Sequence, residues 1–251
     1  MNVKDLFSLN NKIVLVSGGA GNYGKCIVEG LAEAGGTVII ASRNIEKTAE
    51  VVSMFCNNGL DVHAIQVDQG NHASILNLMT EIKKRFGRLD VFVNNAVTRP
   101  MKSYGDPIDH FAESMEVNAT GSIDILRETV DFITASGGGS IINIASMMGM
   151  FGPDLSNYEG TNMGTPPPDY FFHRAGIINM TRYLARVFAG KNVRVNCVSP
   201  GGLFNYQQER FVENYCKKVP VGRMANSDDI KGLMVLLASE AGAYINGQNI
   251  L

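Results

Sequence analysis

The sequence predicts an α/β fold, a doubly wound parallel sheet with helices on both faces. Three features point to it: short Val/Ile-rich runs recur along the chain, helically spaced segments separate them, and a glycine-rich turn follows the first run. Uninterrupted apolar runs of this length read as strands buried on both faces, as parallel strands are. Alternation of strand and helix through almost the whole chain implies right-handed crossovers between parallel neighbours.

The strands are taken in order. Ile13-Val14-Leu15-Val16, Val38-Ile39-Ile40-Ala41, Ala64-Ile65-Gln66-Val67, Val91-Phe92-Val93 and Ile141-Ile142-Asn143-Ile144 are the first five. A sixth, Val193-Arg194-Val195-Asn196-Cys197-Val198, alternates apolar and polar residues. Between them, Ile27, Leu31 and Ala34 fall on one helical face, as do Ile75, Leu78, Met79 and Ile82. Gly35-Gly36 ends the first of these helices, because glycine accepts the left-handed C-terminal position. The 251 residues contain no linker-like tract, so one domain spanning 1–251 is expected.

Composition excludes several classes. With 45% hydrophobic residues the chain is too apolar for disorder, and its net charge of −2 argues against nucleic acid held by bulk electrostatics. The four cysteines form no C-x-x-C pair, so neither a metal site nor a redox dithiol is expected; they read as small hydrophobes in a reducing cytoplasm. Met1–Asp5 lacks the basic start of a leader, and no apolar stretch reaches the ~18 residues of a membrane span. A cytoplasmic protein that binds neither membrane nor nucleic acid is the expectation.

In doubly wound sheets the ligand lies beyond the carboxyl ends of the strands. The segments there, Ser17–Gly24, Ser42-Arg43, Asp68-Gln69, Asn94-Asn95-Ala96, Ala145-Ser146 and Ser199–Gly202, hold small, polar and glycine residues, as a cofactor crevice requires. Gly19, Gly21 and Gly24 satisfy G-x-G-x-x-G between a strand and a helix. Missing Cβ atoms there let main-chain N–H groups and a helix N-terminus approach a pyrophosphate.

These segments, in their order and spacing, resemble the short-chain dehydrogenases/reductases over essentially the whole chain. Ser17-Gly18-Gly19-Ala20-Gly21-Asn22-Tyr23-Gly24 is similar to that family's T-G-x-x-x-G-x-G, with Ser17 for Thr and Asn22 for the middle Gly. Asn94-Asn95-Ala96-Val97 resembles its N-N-A-G, Val117-Asn118-Ala119-Thr120-Gly121 its V-N-x-x-G, and Ser199-Pro200-Gly201 its P-G turn. Asp68 resembles its adenine-contacting Asp. The resemblance implies an NAD(P)-dependent oxidoreductase acting on a hydroxyl/carbonyl pair of a small molecule, working as a homo-oligomer (dimer or tetramer). The last strand is similar over Ile245–Leu251 but lacks the usual Asp-Gly-Gly continuation. An acidic residue after the second strand would favour NAD. Ser42-Arg43 stands there instead and can meet a 2′-phosphate, so NADP is expected, with NAD also admissible.

The resemblance also implies a catalytic Ser, Tyr and Lys with a supporting Asn, here Ser146 and Asn118. Two tyrosines compete. Tyr158 has the common separation from Ser146, but Asn162 follows four positions on. Tyr170 is followed by Arg174 and Ala175-Gly176, as in the family's Y-x-x-x-K-A-G, and the spacing of four puts Tyr170 and Arg174 on one helix face. Tyr170 is therefore assigned, Arg174 stands where the family has Lys, and residues 155–168 read as a loop insertion over the substrate site. The insertion resembles that of oxidoreductases of flagellin-modification and nonulosonate pathways; with Arg99 it suits a polar, anionic or sugar-like substrate. Because guanidinium keeps the charge but not the shape of Lys, a second reading stands beside the enzyme: a non-catalytic dinucleotide-binding sensor or assembly protein.

Overall fold

The apolar runs become seven strands of one parallel sheet in the computed structural model, which describes every residue from Met1 to Leu251. The strands are β1 Ile13–Ser17, β2 Thr37–Ser42, β3 Val62–Gln66, β4 Val91–Asn94, β5 Gly139–Ile144, β6 Val193–Val198 and β7 Asn249–Ile250. The helices are α1 Val3–Leu6, α2 Asn22–Glu33, α3 Ile45–Asn57, α4 His72–Phe86, α5 Ile108–Met115, α6 Gly121–Ala135, α7 Pro168–Val187, α8 Glu209–Cys216 and α9 Lys231–Ala238. Sheet order is β3-β2-β1-β4-β5-β6-β7. The chain thus winds from β1 out to one edge, returns to set β4 beside β1, and runs on to the other edge. Val14 faces Val38 of β2 on one side and Val91 of β4 on the other. That reversal leaves a crevice between the carboxyl ends of β1 and β4.

Side chains alternate across the sheet with the period of two that a strand imposes. Val14 and Val16 of β1, Val38 and Ile40 of β2, and Val91 and Val93 of β4 join Ile27, Val28 and Leu31 of α2, Phe55 of α3 and Met234 and Leu237 of α9. Leu15, Ile39 and Phe92 point to the opposite layer, where Ile75, Leu78 and Ile82 of α4 meet Ile125, Leu126, Val130 and Ile133 of α6. Helix ends follow local chemistry. Asn44 and Asn71 cap α3 and α4, accepting from the N–H groups of Lys47 (2.8 Å) and Ser74 (3.1 Å), and Gly87 closes α4 in the left-handed conformation at φ 76°. A buried amide relay positions α7: Asn94 Nδ2 donates to Asn143 Oδ1 (3.1 Å), and Asn143 Nδ2 donates to Thr181 Oγ1 (3.0 Å).

Three details differ from the sequence reading. The third strand begins two residues earlier, at Val62, because pairing with Val38 sets its register. At the C-terminus only Asn249–Ile250 joins the ladder, beside Cys197–Val198. Before it, Gly247 N–H still donates to the Val195 carbonyl (2.8 Å), and side-chain amides take other partners: Asn246 Oδ1 accepts from Val195 N–H (2.8 Å), and Asn196 binds the Ile245 carbonyl (2.8 Å) and Gln248 N–H (3.0 Å). The inserted segment ends one residue sooner, since Pro168 is already the first residue of α7, a position where its missing N–H costs nothing. No helix is long and apolar enough to cross a membrane.

Phe92 is fully buried in the central strand β4. Phe92→Ala is expected to lower unfolding free energy by about 3–5 kcal/mol, measured as a fall in the urea midpoint at unchanged m-value.

Candidate active site

The crevice is closed at its base by the two loops that border it. Ser17 Oγ accepts from the N–H groups of Asn95 and Ala96 (both 3.1 Å), while Asn95 Nδ2 donates to the carbonyls of Ser17 and Gly18 (both 3.0 Å). Gly18 turns there at φ 66°, and a Cβ on it would stand 2.8 Å from Ala96 Cα. A Cβ on Gly24 would stand 2.4 Å from the Gly18 carbonyl oxygen, and one on Gly19 2.9 Å from a Val28 methyl. Gly21 caps α2 without any side-chain bond, so the first N–H groups of that helix face the crevice unclaimed by a cap. The cradle that sequence assigned to Gly18, Gly19, Gly21, Asn22, Tyr23 and Gly24 is therefore assembled around a helix N-terminus able to take a pyrophosphate. These residues fit a dinucleotide.

Farther along the crevice, Arg43 follows β2, exposed and without an ion pair. Ser42 is turned inward. Thr48 Oγ1 donates to the Asn44 carbonyl (2.8 Å), and Ser42 Oγ lies 2.5 Å from Thr48 Oγ1 and 3.4 Å from the same carbonyl, so its hydroxyl is engaged within this turn. That leaves Arg43 as the free donor at this end. Asp68, after β3, is exposed and accepts from Gly70 N–H (3.0 Å).

The residues that sequence assigned to catalysis meet where β5, α7 and the loop after β4 come together. Ser146 follows β5 in extended conformation, its Oγ accepting from Met148 N–H (3.2 Å). Tyr170 stands on the first turn of α7, its phenol beside Ser146 and the Arg174 guanidinium. Arg174 Cζ lies 5.1 Å from the Tyr170 ring centroid and Arg99 Cζ 4.5 Å from it. Burial alone would raise the Tyr170 pKa; the nearby Arg174 and Arg99 guanidiniums, with the Ser146 hydroxyl, outweigh it and hold the phenol below its ordinary value. Arg174 is buried and makes no ion pair. Its Nη1 donates to the Ile144 carbonyl and its Nε has no partner. His173, also buried, is pushed down to about 3 by burial, then by Arg174 and Arg99, and stays neutral.

Asn118 sits in a π-helical turn, Glu116–Thr120, between α5 and α6. Its amide is fully occupied: Oδ1 accepts from Thr98 N–H (2.9 Å), and Nδ2 donates to the Thr98 carbonyl (2.9 Å) and Ser114 Oγ (3.0 Å). The side chain thus fixes the loop after β4, the loop that carries Arg99. Tyr158 is elsewhere. Its ring packs on Phe211 of α8 at 5.2 Å, and burial raises its pKa with no cation to oppose it.

Several contacts had no signature in the sequence. Tyr23 OH donates to the Gly201 carbonyl (2.9 Å), joining the glycine loop to the Pro200-Gly201 turn across the crevice; burial first, then Tyr215, keeps that phenol protonated. Tyr215 OH accepts from Gly202 N–H (2.7 Å). Only the fold brings these partners together, and the same holds for Arg99 over Tyr170. A surface cavity of 660 Å³ is a separate place between α6 and α7; its walls include Asn118 and His173 but neither Tyr170 nor the glycine loop.

A parallel sheet with a nucleotide cradle at its switch point, and a tyrosine beside a cation at the reacting end, defines a dinucleotide-dependent oxidoreductase class. Comparison with known proteins bears this out. Residues 19–251 match the family model described as enoyl-(acyl carrier protein) reductase, and the chain belongs to that family, within the short-chain dehydrogenases/reductases. It is 28% identical over 250 residues to post-translational flagellin modification protein A of Campylobacter coli, covering 97% of each chain. It is 30% identical over 255 residues to 2-dehydro-3-deoxy-D-gluconate 5-dehydrogenase of Pseudoalteromonas atlantica, covering 98% of this chain and 95% of that one. The crystal structure of a gluconate 5-dehydrogenase from Burkholderia cenocepacia, in complex with NADP and tartrate, superposes with TM-score 0.88 at 26% identity, over 99% of this chain and 96% of that one. The chain is an oxidoreductase of hydroxyl/carbonyl substrates with a nicotinamide cofactor.

Gly24→Ala is expected to weaken cofactor binding by roughly tenfold or more, since its Cβ would displace the Gly18 carbonyl. Titration of NADPH fluorescence against the folded variant, with its circular dichroism unchanged, checks this.

Proposed function

We propose that this protein is an NADP-preferring oxidoreductase of a polar, sugar-like substrate, with Tyr170 as general acid/base, Ser146 and Arg174 beside it, and Asn118 holding the site's shape. The observation that carries the reading is the Tyr170 phenol set among the Ser146 hydroxyl and two guanidiniums at the end of the glycine cradle. Gly18–Gly24, Asn95, Ala96 and the Pro200-Gly201 turn would hold the cofactor, with Asp68 toward the adenine and Arg43, assisted by the Ser42 turn, on the 2′-phosphate. The bound nicotinamide supplies or accepts the hydride. Tyr170 moves the proton at its phenol oxygen: as phenolate it takes the alcohol's proton during oxidation, and as phenol it protonates the carbonyl oxygen during reduction. Ser146 orients that oxygen and shares its developing charge. Arg174, a buried cation with no carboxylate partner, stabilises the phenolate through space. A homo-oligomer working in the cytoplasm completes the reading; sedimentation velocity checks the assembly.

Tyr170→Phe tests the core of it. Turnover should fall by roughly 10²–10⁴-fold while NADPH affinity stays within a few-fold, because only the proton-carrying oxygen is lost. Near-normal turnover would remove Tyr170 from the mechanism.

A lowered phenol pKa fixes the sign of the pH profile. Alcohol oxidation needs the phenolate, so it rises with pH and levels off below the ~10 of free tyrosine; reduction declines over the same range. Arg174→Met should carry the basic limb upward, toward ~10. A limb that stays in place would show that the guanidinium does not tune Tyr170. Activity in Arg174→Lys alone, with none in the parent, would favour the non-catalytic dinucleotide-binding reading.

Arg43→Ala should weaken NADPH binding by about 1.5–3 kcal/mol for one lost charge-assisted contact and leave NADH binding nearly unchanged. Equal effects on both cofactors would end the NADP assignment.

A further inference from the structure

Arg99 occupies an unusual position for a cation. It is exposed and makes no ion pair, yet its guanidinium lies closer to the Tyr170 ring (4.5 Å) than does that of buried Arg174 (5.1 Å). The acid nearest in its loop does not neutralise it. Asp106 accepts from the N–H groups of Lys102 (2.6 Å) and Ser103 (3.3 Å) and from Ser103 Oγ (2.6 Å), all within its own turn. Lys102 Nζ donates to the Arg99 carbonyl (2.8 Å), adding a second cation without an ion-pair partner on the same side. The loop itself is held by the Asn118–Thr98 clasp, so the guanidinium is carried on a fixed backbone.

None of the remaining groups around Tyr170 forms an ion pair with this guanidinium. From α7 come Arg174, neutral His173, and Asp169, whose buried carboxylate makes no hydrogen bond or ion pair. From α2 comes Tyr23, protonated on the Gly201 carbonyl, and after β5 comes Ser146. The cation open to solvent is thus also the one a ligand can neutralise. A planar guanidinium pairs a carboxylate through two parallel N–H···O bonds, and one placed over the ring of the proton-transfer residue would set that carboxylate close to the reacting carbon.

We propose that Arg99 is the carboxylate anchor of the substrate site, that the substrates are hydroxy or keto acids, and that pairing with the acid switches off one of the two cations acting on Tyr170. The inference rests on Tyr170 being the proton-transfer group. Its chemical consequence is directional. In the free enzyme both guanidiniums favour the phenolate; a keto acid docking on Arg99 withdraws one of those charges and leaves Tyr170 more firmly protonated, the form that gives its proton to a carbonyl oxygen as the carbonyl carbon receives hydride.

The experiment is a spectrophotometric titration of tyrosinate at pH 6 to 11, taken as the difference between each protein and its Tyr170→Phe counterpart so that one phenol is read. Parent protein is titrated alone, with sodium tartrate, with the neutral polyol threitol, with inorganic phosphate, and with sodium chloride at matched ionic strength. Tartrate should move the Tyr170 transition upward, and threitol and chloride should not. In Arg99→Gln the transition should begin higher than in the parent and ignore tartrate; Arg99→Lys should restore part of the response. A transition unmoved by Arg99→Gln, a tartrate response that survives it, or a difference spectrum with no distinct Tyr170 transition would overturn the proposal. A response to phosphate with none to tartrate would overturn the carboxylate assignment. Kinetics then separate this inference from the function it rests on. Arg99→Gln should raise KM for a sugar acid by roughly ten- to a hundredfold and leave KM for a neutral polyol within a few-fold. Equal losses on both would refute the anchor. Normal turnover in Tyr170→Phe would refute the catalytic reading, whatever the titration shows.

Discussion

The bond between Ser17 and the Asn95-Ala96 turn governs this molecule. It lies where the winding direction reverses, and it holds the loops leaving β1 and β4 at backbone contact distance. Gly18 can turn there only because it lacks a side chain that would strike Ala96. With that junction made, the glycine loop must lead directly into α2, and the N-terminus of that helix must face the crevice. The shape of the glycine loop follows from one hydroxyl accepting two N–H groups.

A second constraint acts at the reacting end. α7 cannot slide along the sheet, because the Asn94–Asn143–Thr181 relay ties it to β4 and β5 through buried amides whose desolvated groups need those partners. Its first two turns therefore deliver Tyr170 and Arg174 to fixed points beside Ser146. Arg174 is then committed: one nitrogen binds the Ile144 carbonyl, and its guanidinium lies 5.1 Å from the Tyr170 ring centroid. A lysine's flexible ammonium could reach elsewhere, whereas a planar guanidinium in this place acts chiefly as a fixed field.

The segment before α7 is tied down as well. Lys218 of the turn after α8 donates to Asp154 (2.7 Å), Asn157 (2.8 Å) and Ser156; Asn214 of α8 holds the carbonyls of Asn157 and Glu159; and Gln208 accepts from Asn162 N–H (3.2 Å). Residues 154–162 and α8 thus form one wall. Tyr158 belongs to that wall, which is why its family-like spacing from Ser146 does not bring it to Arg174.

By itself the sequence determined what depends on neighbours in the chain. Apolar runs separated by helical spacing fixed a parallel sheet, since strands covered on both faces tolerate few other arrangements. Glycines at 18, 19, 21 and 24 marked the cradle, and the four-residue step from Tyr170 to Arg174 put both on one face of α7. Register was less legible: β3 starts where β2 pairs with it, and the last strand is short because Asn196 and Asn246 take its backbone partners. Contacts between distant segments were decided only by the tertiary structure. Arg99 and Tyr170 are far apart in sequence, as are Tyr23 and Gly201, and neither partner of either pair carries a local pattern that names the other. Ser42 shows the same limit, because its hydroxyl is engaged by Thr48 and the Asn44 carbonyl at the start of α3. Backbone conformation is set by local sterics and periodicity, which a sequence displays. The electrostatic surroundings of a phenol are set by which loops the sheet brings to one edge, and only the assembled fold contains that information.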